Sequence, residues 1–399
     1  MNAMPTAYAE EGDGSSWDTN SFDDQRDADS PSFYAPLSDL TPGYRPDKKT
    51  DEAGLWMVMD QVEAKLRRSA SVVADQALRD YLQTIVCRLT PEYCPFIRLY
   101  PVRTAHFNAT MAPNGTMQVW TGLLLRCQNE AQLAYILGHE ISHYIRRHSL
   151  QRWRYIRGTG NVMAVLQLVT AGAGVGLVGD IAGLVALSTI FSYSRSHERE
   201  ADKAGLALMA AAGYDPHEAA KAWQGLLEER ETEEGKEKTA FFATHPPMEE
   251  RIDNLNRQAK SLAEKGVLEL GGDRYGKAVD RFRSIWLQDE VRRGQTKQST
   301  VLLQRLAKGN AQDGLLLFYQ GELLRRIGQR EDTLKATDFY RRAINAGNAP
   351  PEVYRALGFA SWDLNEIDRA IANFRAYLAA KPAADDREMI LSYLEELKP

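Results

Sequence analysis

The sequence predicts an α+β protein, mainly helical, in which a domain with a small sheet is followed by an all-α repeat domain. Three observations carry this. Asn129–His148 repeats apolar residues at helical spacing and holds His139 and His143 around Glu140. Short β-prone segments precede it, with a turn signal at Asn114-Gly115. Beyond Lys260, Ala336 to Ala370 and Tyr340 to Phe374 are each 34 positions apart, a period of stacked helix pairs. At 399 residues, with 44% hydrophobic content, the chain has room for two globular domains. A net charge of −5 gives no basic footprint, which speaks against a nucleic-acid partner.

Residues 1–50 read as a mobile acidic leader, rich in Asp, Ser, Gly and Pro from residue 10. No apolar signal core stands at the start, yet Ala7-Tyr8-Ala9 before Glu10 has the small-x-small form of a cleavage site. The expectation is an export signal upstream of this sequence. A domain over 51–260 opens with a helix near Gly54, where Leu55, Met59, Val62 and Leu66 recur, and a second helix over Ser71–Leu89. Tyr93–Val102, His106–Thr110 and Thr116–Trp120 read as strands, and a substrate can add to the edge of such a sheet. Cys87 and Cys94 can pair across the intervening turn or remain two core thiols, and Cys127 reads as a buried thiol.

Asn129 suits the cap of the central helix, with Gln132 three positions on, and Arg146, Arg147 and His148 suit its negative end. His139 and His143, one turn apart, can grip one Zn²⁺ from the same face. Glu140 can reach a water on that ion as a general base. A catalytic zinc needs a third protein ligand, and His197, Glu198 and Glu200 compete for the place. Glu198 and Asp202 share a helix face, so Glu198 can bind metal while Asp202 accepts the N–H of a ligating histidine. Glu200 projects elsewhere, toward an arginine. Between the two motifs, the Gly- and Ala-rich segment 162–191 is broken near Asp180. It fits a helical hairpin packed within the protein, or one touching a membrane surface.

These motifs resemble the M48 family of zinc metallopeptidases. The similarity rests on His139-Glu140-Ile141-Ser142-His143, on Glu198–Asp202 with Gly213-Tyr214-Asp215-Pro216, and on Thr244-His245-Pro246-Pro247 with Glu249-Glu250-Arg251-Ile252. Asn108-Ala109 resembles the family's Asn-Ala strand, and the likeness spans roughly residues 54–258. It implies a zincin-type (gluzincin) fold with one Zn²⁺ per chain on His139, His143 and Glu198. Glu140 is then the base that activates water, and Asp202 supports a ligand. His245 is implied either as a latch on the fourth zinc position or as a transition-state group, with a purely structural turn as the third reading. Asn108 and Arg251 are implied as substrate or loop contacts.

Over 261–399, Tyr354, Leu357, Gly358, Ala370, Phe374 and Pro382 take tetratricopeptide positions, and Gly321, Ala336, Tyr340 and Ala343 repeat them with about three extra residues in the mid-turn. A degenerate unit is expected around Arg274–Trp286 and a capping helix at Asp386–Lys398. An M48 domain joined to such repeats resembles the periplasmic branch of the family that serves outer-membrane assembly. That resemblance implies polypeptide substrates, with envelope or outer-membrane protein clients held by the repeats.

Overall fold

The computed structural model describes residues 38–158, 193–232, 245, 250–263, 268–309 and 311–397. The apolar segment 162–191 and the leader through residue 37 lie outside the described residues. Among the described residues no helix is long and apolar enough to cross a membrane. Residues 38–50, assigned to a mobile leader by composition, are folded. Leu40 is buried, its N–H donates to Ile145 O at 2.8 Å, and Tyr93 OH donates to Leu40 O at 2.5 Å. One apolar side chain with two main-chain bonds is enough to seat an otherwise polar segment.

Helix α1 (Asp51–Leu66) is capped by Thr50 and α2 (Gln76–Leu89) by Asp75, whose carboxylate accepts from Leu78 N–H at 2.8 Å. The second helix therefore starts later than the expected Ser71. Residues 71–73 are drawn instead to the sheet, with Arg103 N–H on Ser71 O at 2.7 Å and Val73 N–H on Pro101 O at 2.9 Å. Cys87 and Cys94 are disulfide-bonded with Cα atoms 4.8 Å apart, and Cys127 is a buried free thiol. The sheet runs β1 (Arg98–Val102), β3 (Thr116–Trp120), β2 (Ala109–Met111). Central β3 is parallel to β1, pairing Arg98 with Thr116, and antiparallel to β2, pairing Met111 with Met117. The first strand begins at Arg98, not Tyr93, because Pro95 sits in a 3₁₀ turn (Cys94–Phe96) where its missing N–H is not needed. Edge strand β2 lies beside the helix that carries the histidines.

Short α3 (Thr121–Arg126) leads into that helix, α4 (Glu130–Ile145), which is buried through Tyr144. The Asn129 side chain accepts from Gln132 N–H at 2.9 Å. α4 ends at Ile145 rather than continuing to His148. Arg147 takes a left-handed φ of 59°, and α5 (His148–Gly158) starts afresh. The unusual turn is fixed from outside: Arg147 Nη2 lies 2.5 Å from Glu52 Oε2, and its guanidinium covers the Tyr44 ring at 5.1 Å. Across α4 runs α6 (Arg195–Ala211), followed by α7 (His217–Arg230) and α8 (Glu250–Ala263). A Cβ on Gly205 would meet His139 N at 2.7 Å and His139 Cα at 2.9 Å, so α4 and α6 touch backbone to backbone beside the histidines.

Seven further helices complete the described chain: α9 (Gly272–Arg292), α10 (Thr296–Ala307), α11 (Gly314–Ile327), α12 (Arg330–Ala346), α13 (Glu352–Asp363), α14 (Ile367–Ala380) and α15 (Arg387–Glu396). The pairs α11–α12 and α13–α14 repeat one device, with Gly321 against the Tyr340 ring and Gly358 against the Phe374 ring. The extra residues of the first pair do not widen its turn. They enter as one more turn at the start of α12, where Ala336 stands seventh, whereas Ala370 stands fourth in α14.

One continuous apolar core runs from α2 and the sheet through α4, α6 and α7 into α9–α13. Buried charges cross the same boundary. Arg126 on α3 contacts Glu229 of α7 at 2.8 Å and Glu290 of α9 at 3.0 Å, and Arg305 of α10 also reaches Glu229. The segment before α9 joins in, with Ala131 N–H of α4 donating to Leu270 O at 3.0 Å and Arg274 Nη2 lying 2.7 Å from Glu130 Oε1.

Candidate metal centre

His139 and His143 leave α4 on one face with their Nε2 atoms 3.0 Å apart. α6 supplies Glu198, with Oε1 3.4 Å from His143 Nε2 and Oε2 3.6 Å from His139 Nε2. His245 closes the group, its Nδ1 2.9 Å from Glu198 Oε1 and 3.3 Å from His139 Nε2. All four residues are buried, and one donor atom from each lies within 4.8 Å of the others. A tetrahedral zinc with ligands at about 2.0–2.1 Å sets its donors roughly 3.3–3.4 Å apart. The observed spacing fits such an ion, and so does the chemistry of three imidazoles and a carboxylate. Glu140 lies beside them, also buried, and its Oε1 makes no hydrogen bond among the described residues. A buried carboxylate in that state is costly unless something else occupies the site.

Burial pushes the Glu140 carboxyl up to about 7, with neighbouring Glu198 adding to the rise and His245 opposing it. Burial acts the other way on His139 and His143 and holds both rings neutral, the state in which imidazole ligates. For Glu198, burial is outweighed by His245 and Arg251, and the carboxyl stays well below the ordinary range. Burial alone would lower His245 too, but the Glu198 and Glu140 carboxylates raise it. The cluster thus contains one committed anion, two neutral rings and a carboxyl poised near neutrality.

Around these groups stands a supporting layer. Asp202 Oδ1 lies 3.1 Å from His139 Nδ1 and accepts from Tyr135 OH at 2.6 Å and Arg251 Nη2 at 2.6 Å. Tyr135 OH accepts in turn from Trp223 Nε1 at 2.9 Å, and the Arg251 guanidinium lies 3.9 Å from the Trp223 ring centre. Arg251 also contacts Glu198 Oε2 at 3.1 Å and is 4% exposed. It faces the carboxylates rather than an open surface. On the other flank, Tyr193 stacks on His143 at 3.7 Å, and His143 Nδ1 lies 2.8 Å from His148 Nδ1. His197, a rival for the third ligand position, stacks on His148, and Glu200 sits at the surface against Arg146 and His148. Asn108 is buried, and neither end of its side-chain amide has a partner among the described residues.

The structure therefore brings His139, Glu140, His143, Glu198, Asp202, His245 and Arg251 together. Sequence reasoning missed Tyr135, His148, Tyr193 and Trp223. Tyr135 precedes His139 by one helical turn, so its signal was present in the spacing. The other three arrive from separate elements and carry no local pattern.

Residues 66–259 match the sequence profile of peptidase family M48. The chain is 33% identical over 158 residues to the mitochondrial metalloendopeptidase OMA1 of Schizosaccharomyces pombe, which covers 39% of this chain and 45% of that protein. It is 26% identical over 287 residues to the beta-barrel assembly-enhancing protease of Yersinia pestis, covering 67% of this chain and 56% of the relative. The protein of that name from Escherichia coli K12 is 23% identical over 303 residues, covering 73% and 60%. The chain thus spans about half of the length of the relatives it matches. The buried His/Glu cluster falls inside the matched segment, and residues 66–259 form a domain of peptidase family M48.

Proposed function

We propose that this chain is a zinc-dependent endopeptidase of the bacterial envelope, acting on misassembled polypeptides that its C-terminal helix pairs hold. One observation carries the reading: His139, His143 and Glu198 converge from two helices, with Glu140 buried beside them and its Oε1 3.4 Å from His245 Nε2. When bound, Zn²⁺ would polarise the scissile carbonyl and acidify a water. The chain's own residues do the rest. Asp202 accepts from His139 Nδ1–H and keeps Nε2 available for the ion. Glu140, buried beside the ligands, takes the proton of the attacking water and returns it to the leaving amine. Asn108 offers one donor and one acceptor, matching the backbone of an extended peptide laid along edge strand β2.

Glu140→Gln should keep the fold and bind zinc but lose at least about a hundredfold in casein cleavage. Undiminished proteolysis by this variant would falsify the assignment of Glu140. Chelation should abolish cleavage, and added zinc should restore it.

A second reading follows from His245, whose Nδ1 sits where a fourth ligand belongs. Here the site rests closed, and the protein works chiefly as a chaperone or adaptor. His245→Ala should raise basal cleavage if this ring is a latch; a fall would instead give it a role toward the transition state. The paired helices α11–α14, with Gly321 against Tyr340 and Gly358 against Phe374, support a tetratricopeptide reading of residues 261–399. The two beta-barrel assembly-enhancing proteases among its relatives favour β-barrel proteins as clients, in keeping with the envelope setting that the sequence resemblance implies. Full client binding by the zinc-free protein, with no cleavage by the zinc-loaded one, would favour the adaptor.

A further inference from the structure

Each α4 histidine has a second ring nitrogen facing away from the cluster. For His139 it meets Asp202, but for His143 it meets another imidazole. His143 Nδ1 and His148 Nδ1 are 2.8 Å apart, and both residues are fully buried. Across such a contact only one nitrogen can carry the proton. His148 Nε2, on the far side, lies 3.3 Å from Glu200 Oε2, and the Glu200 side chain is 46% exposed. The line Glu200–His148–His143 therefore runs from the surface to the cluster. Glu200 can only accept, so it favours hydrogen on His148 Nε2. That leaves His148 Nδ1 as a lone pair, which requires hydrogen on His143 Nδ1 and leaves His143 Nε2 bare toward His139 and Glu198.

The surroundings are built to keep His148 there. Its ring stacks on His197 at 4.1 Å, and His197 lies 3.2 Å from Gln151 Oε1. The next residue, Ser149, bonds Tyr193 OH at 3.1 Å, the ring that stacks on the other side of His143. The preceding residue is Arg147, the left-handed position held by Glu52 and Tyr44. A non-glycine residue keeps such a conformation only when its neighbours over-determine it. Here the consequence is to fold the chain back sharply after α4, so that His148 faces His143 five positions earlier.

We infer that His148 is a positioning residue that fixes the metal-binding tautomer of His143, with Glu200 setting its own. The inference rests on reading His143 as a ligand. Zn²⁺ affinity of the full-length protein, measured by competition with a chromophoric chelator, tests it alongside the melting temperature of the metal-free protein. His148→Phe keeps a ring to stack on His197 but removes the acceptor, and it should weaken zinc binding about ten- to a hundredfold. His148→Asn, whose side-chain oxygen can accept at the same place, should recover most of that loss. Equal losses in both variants would mean that the ring only fills space, and an unchanged affinity in His148→Phe would likewise overturn the inference. If His148→Phe does not fold, Glu200→Lys carries the test. A lysine can only donate, so it favours the opposite His148 tautomer and should weaken binding more than Glu200→Gln does. Identical affinity of those two variants would overturn the inference. His143→Ala is the separate control: unchanged zinc affinity there would remove the ligand reading itself.

Discussion

At Gly205 an added Cβ would meet the His139 backbone at 2.7–2.9 Å, and at Gly358 it would meet the Phe374 ring at 2.6 Å. Both glycines let two helices close up, yet what they press against differs. Gly205 sets the distance between the helix that carries two imidazoles and the helix that carries Glu198, so donor spacing depends on it. Gly358 seats an aromatic ring in an apolar layer, where a smaller side chain can make room. The N-terminal half spends its tight packing on aligning charged and polar groups. In the C-terminal pairs the same packing only holds helices together. The first arrangement tolerates little adjustment, whereas the second can be repacked.

Breaking the join between the halves is expected to have the largest effect. Arg126 is buried between Glu229 and Glu290, and Arg126→Met leaves both carboxylates short of a partner. A loss of about 3–5 kcal/mol is expected, read as a lower denaturation midpoint. A stability equal to the parent would show that apolar contact and the remaining pairs, Arg305–Glu229 and Arg274–Glu130, hold the boundary without Arg126. Next comes the glycine pair. Gly205→Ala and Gly358→Ala should each cost about 1–3 kcal/mol. Only the first should reduce zinc content, and only the second should be relieved by Phe374→Leu. Matching zinc losses in the two variants would erase the distinction drawn between them.

The smallest effect is in acid. All seven histidines, from His106 to His245, lie in the N-terminal half. Burial holds His148 down to about 2 and His197 to about 4, with adjacent His197 lowering His148 further. Below about pH 6.5 the unfolded chain therefore takes up protons that the folded chain refuses, and stability falls as pH falls. Glu140, raised to about 7, opposes this but is outnumbered by the four lowered rings of His139, His143, His148 and His197, and the lowered carboxylates add to the loss only at lower pH. Burial would raise Glu63, but Arg98, Tyr100 and Thr116 pull it down to about 2, so its stabilisation is present above about 4.5 and is lost toward 2. Between pH 6.5 and 4.5, amide exchange in the metal-free protein should quicken across α4–α6 before α11–α15. Uniform quickening would contradict the asymmetry.

The legible parts of the sequence were those where function and local geometry share one element. His139, Glu140 and His143 lie within five residues of one helix, and Glu198 and Asp202 are one turn apart on another, so 3.6-residue spacing favours them and the family resemblance selects Glu198 over His197 and Glu200. What could not be read depends on distant partners. The end of α4 is decided by Glu52 and Tyr44 acting on Arg147, and no pattern near residue 147 announces it. The folded state of residues 38–50 likewise depends on Ile145 and Tyr93 receiving Leu40. His148 was read as a favourable charge at a helix end, whereas burial keeps it neutral and the turn gives it another neighbour.

Leu270 acts on α4 through Ala131. The first turn of α4 has backbone donors with no acceptor of their own, and one of them is satisfied by a carbonyl lying 139 positions downstream. Excising the peptidase half at residue 260 would therefore remove the carbonyl that accepts from Ala131 N–H, and with it the Arg274 counter-ion of Glu130, from the pole of the helix that bears the histidines. A minimal proteolytic fragment has to extend past Arg274, and its designer should treat that stretch as part of the enzyme rather than as the beginning of its tail.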